Sequence, residues 1–355
     1  MRSCCRGATS AGEEDKDLKV GIGRNDHERL MAKFAAKSFS FAGLFHPNQW
    51  KNGREFADLV LKVGRSLFVF NMYEGRQWFE SACLHNLDQV SDRITDWRSG
   101  LPIRGANNFR DFHIRWDDID NIAVVSIVDV ADSGCCFHEP DLIGHRDKLA
   151  CAVTISGDVL RNLASKRGGA RELVLLCSHL CASPGRIASS DICDMLASFR
   201  DDVIEAAWQH RPVIKHEPPM TSTNEEKINA LKLAHQQIEG MFLKAGEKPI
   251  LDYASDCLCQ MGWYERASIA SIVAEVAPII WRVGPGETGP QLSYCERVDQ
   301  PFRFGVGVGT SAKLASEMHT LARRQEAENL AMQYFFTTDF NSLGGIVTFL
   351  KKRRP

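Results

Sequence analysis

The sequence predicts an α/β protein: a mixed β-sheet flanked by helices over residues 21–210, followed by a mainly α part over 225–355. Three observations carry this. Residues 54–76 hold two apolar arms around Val63-Gly64-Arg65-Ser66, a tight hairpin in which glycine makes positive φ cheap. Residues 78–97 place Phe79, Cys83, Leu87, Val90 and Ile94 at helical spacing. Residues 121–130 form a nearly unbroken apolar run, as expected of a strand covered on both faces.

In chain order, residues 1–20 are polar, small and charged, too poor in apolar groups to offset the entropy of ordering, and predict a disordered tail. Asn25 or Asp26 can cap a helix whose stripe is Leu30, Met31, Phe34, Ala35 and Ser38, with Glu28 in its first turn, where the helix dipole favours a carboxylate. Residues 40–53, with Pro47 and two asparagines, read as a loop packed on the core. After the hairpin and the 78–97 helix, strands are expected at 109–116 and 121–130, an edge strand at 150–155, and a helix at 157–165 with Asp158 as cap and Val159, Leu160 and Leu163 buried. Residues 190–210 read as a helix and 211–224, with three prolines, as a linker. Beyond it, helices are expected at 225–245, 250–261 and 265–281, a loop at 281–300, and a helix ending near Phe335. The alternating glycines of 304–309 read as a strand packed closely on a neighbour, with an anion-binding helix start as the alternative.

A chain of 355 residues with net charge −2 can bury a sizeable core, but its charge excludes a molecule-wide electrostatic grip on nucleic acid, so any such contact must be a local patch. Twelve cysteines without an apolar signal segment suggest free thiols in a reducing cytoplasm, and no run is long enough to cross a bilayer. Cys177-Ser178-His179-Leu180-Cys181, Cys135-Cys136-Phe137-His138 and Cys257-Leu258-Cys259 gather soft ligands, but none has the Cys-x-x-Cys spacing by which one turn presents two thiolates to zinc.

The candidate site lies on the hairpin. Alternation puts Asp58, Val60 and Lys62 on one face of the first arm, and Asn71 and Tyr73 on one face of the second. Glu55 and Asp58 are not needed for folding, and they stand where a hard cation would want oxygen ligands.

The order of acid, apolar strand, glycine turn, apolar strand and polar-x-polar ending resembles the core hairpin of the PD-(D/E)xK nuclease superfamily. Residues 28–89, about a fifth of the chain, are similar to uncharacterised bacterial nuclease-like proteins. The matching pieces are His27-Glu28-Arg29-Leu30, Phe45-His46-Pro47-Asn48, Glu55-Phe56-Ala57-Asp58-Leu59 and Phe70-Asn71-Met72-Tyr73. Gln89 matches a glutamine on the helix that follows; its other reading is a plain helix-surface residue. The resemblance implies a restriction-endonuclease-like fold and an active site drawn from Glu28, Glu55, Asp58, Asn71, Tyr73 and Gln89. Asp58, Asn71 and Glu55 would then hold Mg²⁺ or Mn²⁺, with DNA or RNA as substrate.

Active members would carry an acid at the position of Asn71 and a lysine at that of Tyr73. An amide oxygen adds no charge to metal binding, and a phenol offers no cation to the attacking water. Lys62 or Arg76 stands as a surrogate cation. The expectation is therefore a nucleic-acid-related protein with altered or lost phosphodiesterase activity. The alternative is a non-catalytic scaffold, with the C-terminal helical part binding a protein or nucleic acid.

Overall fold

A computed structural model describes residues 26–39, 43–107, 110–139, 147–166, 168–183 and 185–209, then 259, 262–264 and 266–267, and four strands between 291 and 349. The expected tail at 1–20, linker at 211–224 and helix at 225–245 lie outside the described residues.

Helix α1 (Asp26–Phe39) opens with acidic Asp26 and Glu28, and buries Met31, Ala35 and Phe39 at spacings of four; Leu30, expected in this stripe, is 43% exposed. Strand β1 (Leu44–Pro47) occupies part of the expected 40–53 loop, and 48–53 has neither helix nor strand. The proline is tolerated because it ends this short strand. Strands β2 (Leu59–Val63) and β3 (Ser66–Glu74) form the hairpin, with Val63 opposite Ser66 and Gly64 at φ +57°. Helix α2 (Phe79–Arg98) buries Phe79, Cys83, Leu87, Val90 and Ile94, as their spacing predicts.

Strands β4 (Ile103–Ala106) and β5 (Asp111–Ile114) follow. Gly105 stands where a Cβ would come within 2.4 Å of the Phe45 ring, so β4 reaches β1 only because this residue has none. Strand β6 (Asn121–Asp129) is central, as its apolar run predicts, and β7 (Gly134–Phe137) and β8 (Leu149–Ile155) complete this half with β9 (Arg186–Ala188). Helices α3 (Gly157–Ser165), α4 (Ala170–Ala182) and α5 (Ser189–Gln209) cover it. Two expectations are corrected here. β8 is an interior strand between β6 and β7, not an edge, and α3 is capped by the Ser156 hydroxyl, which accepts the Val159 N–H, not by Asp158.

The nine strands form one mixed sheet in the order β5-β4-β1-β2-β3-β6-β8-β7-β9. β3, β6 and β8 run parallel, and the other pairings are antiparallel. One face packs Leu59, Leu61, Phe68 and Phe70 against α1, α3, α4 and α5. The other packs Val60, Leu67 and Val69 against Leu87, Val90, Ile94 and Trp97 of α2. Each fully buried large apolar side chain contributes roughly 1.5–3 kcal/mol.

The first core also takes in Cys259 and Trp263. The Trp263 N–H reaches a buried Glu172 carboxylate at 2.9 Å and its indole donates to Lys166 O at 2.8 Å, so this core draws on residues from both sides of 211–224.

Residues 291–349 contain a second sheet: β10 (Gln291–Cys295), β11 (Phe304–Gly309), β12 (Met332–Thr337) and β13 (Gly344–Phe349), paired in that order, with β11 and β12 parallel. The strand reading of 304–309 agrees. The loop at 281–300 and the helix ending near Phe335 are corrected at 291–295 and 332–335, where the aromatic residues Tyr294, Tyr334 and Phe335 fit a pleated sheet. The described regular structure at 291–349 is strand, residues 259, 263–264 and 266–267 are helical, and the rest of the expected mainly α part lies outside the described residues. No helix among the described residues is long and apolar enough to cross a membrane.

Candidate functional site

The site is built by register. Leu59 pairs with Phe70, which sets Asp58 opposite Asn71 one step further out. Their neighbours Val60 and Val69 face α2, so strand alternation sends Asp58 and Asn71 to the same side. The Asp58 N–H donates to Phe70 O at 3.1 Å, and its carboxylate accepts the Met72 N–H at 2.6 Å. On β1, His46 hydrogen-bonds the main chain of Asp58, and burial holds its imidazole below the ordinary histidine pKa.

Asn71 is 5% exposed, and its Oδ1 has no partner among the described residues. A buried amide oxygen without a donor is uncommon enough to require an explanation. Asn86 of α2 donates to the Asn71 main-chain oxygen at 3.4 Å, pinning the helix above it.

Asn71 opens into a cavity of about 220 Å³ that Glu55, Asp58 and Gln89 also line. The sequence-predicted residues Glu55, Asp58, Asn71 and Gln89 are thus brought together. Gln49 donates to Glu55 Oε1 at 3.1 Å, and the Gln89 amide meets His85 Nε2 at 2.8 Å. The cavity also holds Arg54 and Arg93. Burial first and then the neighbouring Arg54 charge push the Arg93 guanidinium below its ordinary pKa, while Asp92, Asp96 and Glu55 oppose that shift. Arg93 lies four residues after Gln89 on one helix face, a spacing that could have flagged it.

Four other candidates stand elsewhere. Tyr73 packs beside Phe79 and Cys83 and meets the His85 ring edge-on at 5.9 Å. Lys62 donates to Gly64 O at 2.8 Å and so ties the turn at the far end of the hairpin. Glu28 belongs to α1, which covers the opposite face of the sheet, and its charge is felt by His46. Arg76 is exposed and does not line the cavity. Neither proposed surrogate cation is in place; Arg54 and Arg93 are the cavity's cations.

The donor set fits a hard divalent cation in kind: two carboxylates and one amide oxygen that lacks a donor. It carries one charge fewer than a set with an acid in place of Asn71. A second, softer cluster lies at the other end of α2. There Cys83, Cys136 and His138 bring their ligand atoms within 4.8 Å of one another. The Cys177 to Cys181 segment, by contrast, is helical, with Cys177 buried and Cys181 exposed.

No protein-family model, curated protein or solved structure matches the chain, so the site is argued from its own geometry.

Proposed function

We propose that this cavity is a phosphodiester-directed site on a restriction-endonuclease-like hairpin, with cleavage weakened relative to an all-acid site. The observation that carries the reading is one cavity lined by Glu55, Asp58 and Asn71, with the Asn71 side-chain oxygen buried and unpaired among the described residues. A cation held beside it would give that oxygen a partner, where burial without one is costly.

Asp58, Asn71 and Glu55 would hold Mg²⁺ or Mn²⁺, which when bound supplies charge stabilisation and an acidified water. Arg54 and Arg93 bind the phosphate oxygens, the role that guanidinium groups fill by charge and bidentate geometry. Gln89 orients a water or phosphate oxygen through its amide. Tyr73 provides no cation, which keeps the expected turnover low. DNA or RNA is the substrate class, met at this local patch and not through overall charge. A cytoplasmic setting suits the free cysteines among the described residues.

The test is incubation of the purified full-length chain with Mn²⁺ and labelled single- and double-stranded DNA and RNA. The reading expects slow cleavage that Asp58→Ala abolishes. Intact substrates in every case, with Asp58→Ala indistinguishable from the native chain, would remove the catalytic part.

A second reading has its own observation. The Asp58 carboxylate already serves the Met72 N–H, so the acid can work as a clasp in a non-catalytic scaffold that binds a protein or nucleic acid. Retained nucleic-acid binding without cleavage, weakened by Arg93→Gln, favours this reading.

A further inference from the structure

We propose that Cys83, Cys136 and His138 form a zinc-binding centre, separate from the Asp58 cavity. The fold assembles it from two elements. Cys136 and His138 are two residues apart along β7 and its extension, where the His138 N–H still bonds Ala152 O, so both side chains leave the same face. Cys135 faces the other core, and Cys136 packs with Phe79, Cys83 and Val128 under α2. Helix α2 lowers Cys83 onto this pair.

The distances agree with a metal polyhedron. A tetrahedral zinc with Zn–S about 2.3 Å and Zn–N about 2.0 Å sets sulfur and nitrogen roughly 3.5 Å apart. Cys136 Sγ lies 3.5 Å from His138 Nε2. Two sulfurs in the same polyhedron stand roughly 3.8 Å apart, inside the 4.8 Å that contains all three donor atoms.

The charge balance agrees as well. Two thiolates and one neutral imidazole cancel the charge of Zn²⁺, so the loaded centre buries no net charge. Cys83 is 3% exposed while Cys136 and His138 are half-buried, which leaves the ion an approach.

Thr154, the cross-strand partner of Cys136, has its hydroxyl 2.7 Å from His138 Nε2. Zinc at Nε2 replaces that hydrogen bond. Three protein ligands leave one coordination position, the pattern of zinc sites that bind water or substrate.

The experiment measures metal on the full-length chain prepared with reductant. Elemental analysis after zinc addition and desalting should give one zinc per chain, and Co²⁺ in its place should give thiolate-to-cobalt charge-transfer bands. Cys83→Ser, Cys136→Ser and His138→Gln should each weaken zinc binding by more than the roughly 10–100-fold expected from loss of an outer-shell partner. Cys193→Ser, outside the cluster, should bind as the native chain does. If a cluster variant misfolds by circular dichroism, the native cobalt spectrum decides. Absence of thiolate bands, zinc retention in the three variants, or a Cys83–Cys136 disulfide formed in the presence of zinc would each overturn the assignment.

Discussion

The Asp58 carboxylate accepts the main-chain N–H of Met72 at 2.6 Å, so the acid expected to serve a cation also clasps the open end of the hairpin. The two duties separate by substitution. Asp58→Ala leaves a partly buried N–H without an acceptor and should lower stability by about 1–3 kcal/mol in urea unfolding. Asp58→Asn keeps an acceptor oxygen and should cost less, while both variants lose any Mn²⁺-dependent cleavage.

Asn71→Asp puts a second carboxylate opposite Asp58 in a buried place. Like charges there should destabilise the metal-free chain. Mn²⁺ should reverse this, by about 2.7 kcal/mol at a hundredfold excess over the dissociation constant. Thermal melts with Mn²⁺ and with EDTA measure the difference, and the native chain should show a smaller metal-dependent gain.

Arg93→Gln should weaken binding to labelled oligonucleotide and reduce the salt dependence by about one counterion. Lys62→Gln should change neither, because Lys62 is engaged with Gly64 at the hairpin turn. A fluorescence-anisotropy titration at several salt concentrations checks both.

Glu172 is buried, and loss of hydration raises its pKa despite N–H donors from Trp263 and Gly169. Between the ordinary glutamate value and the raised one, the folded chain holds a proton that the unfolded chain has released. Stability from this group is therefore full at low pH and declines as pH rises through that window, by at most about 1.4 kcal/mol per pH unit. Glu172→Gln should flatten this part of the stability profile, measured by urea unfolding from pH 4 upward.

The hairpin, α2 and β6 are legible in the sequence because each has a strong local signal: a glycine turn between apolar arms, helical spacing, and an unbroken apolar run. Strand β1 is hidden because it is short and its pairing with β4 depends on Gly105, about sixty residues away, having no side chain. Glu55, Asp58, Asn71 and Gln89 are legible because strand alternation and the helix that follows bring them to one side. Arg54 is not, and Arg93 has only its four-residue spacing from Gln89 to mark it, since a surface arginine and a site arginine look alike until a cavity forms between them. The thiol cluster has a local half, Cys136-Phe137-His138 at strand spacing, but Cys83 joins only through the packing of α2 on the sheet.

The seating of Trp263 has a practical consequence. A shortened chain ending at residue 209 would keep every strand of the large sheet yet expose a socket shaped for an indole, and strip Glu172 of its Trp263 N–H donor. Such a fragment should precipitate or recruit stray apolar matter. A protease nick between 209 and 259 should instead yield two pieces that travel together through gel filtration until denaturant parts them.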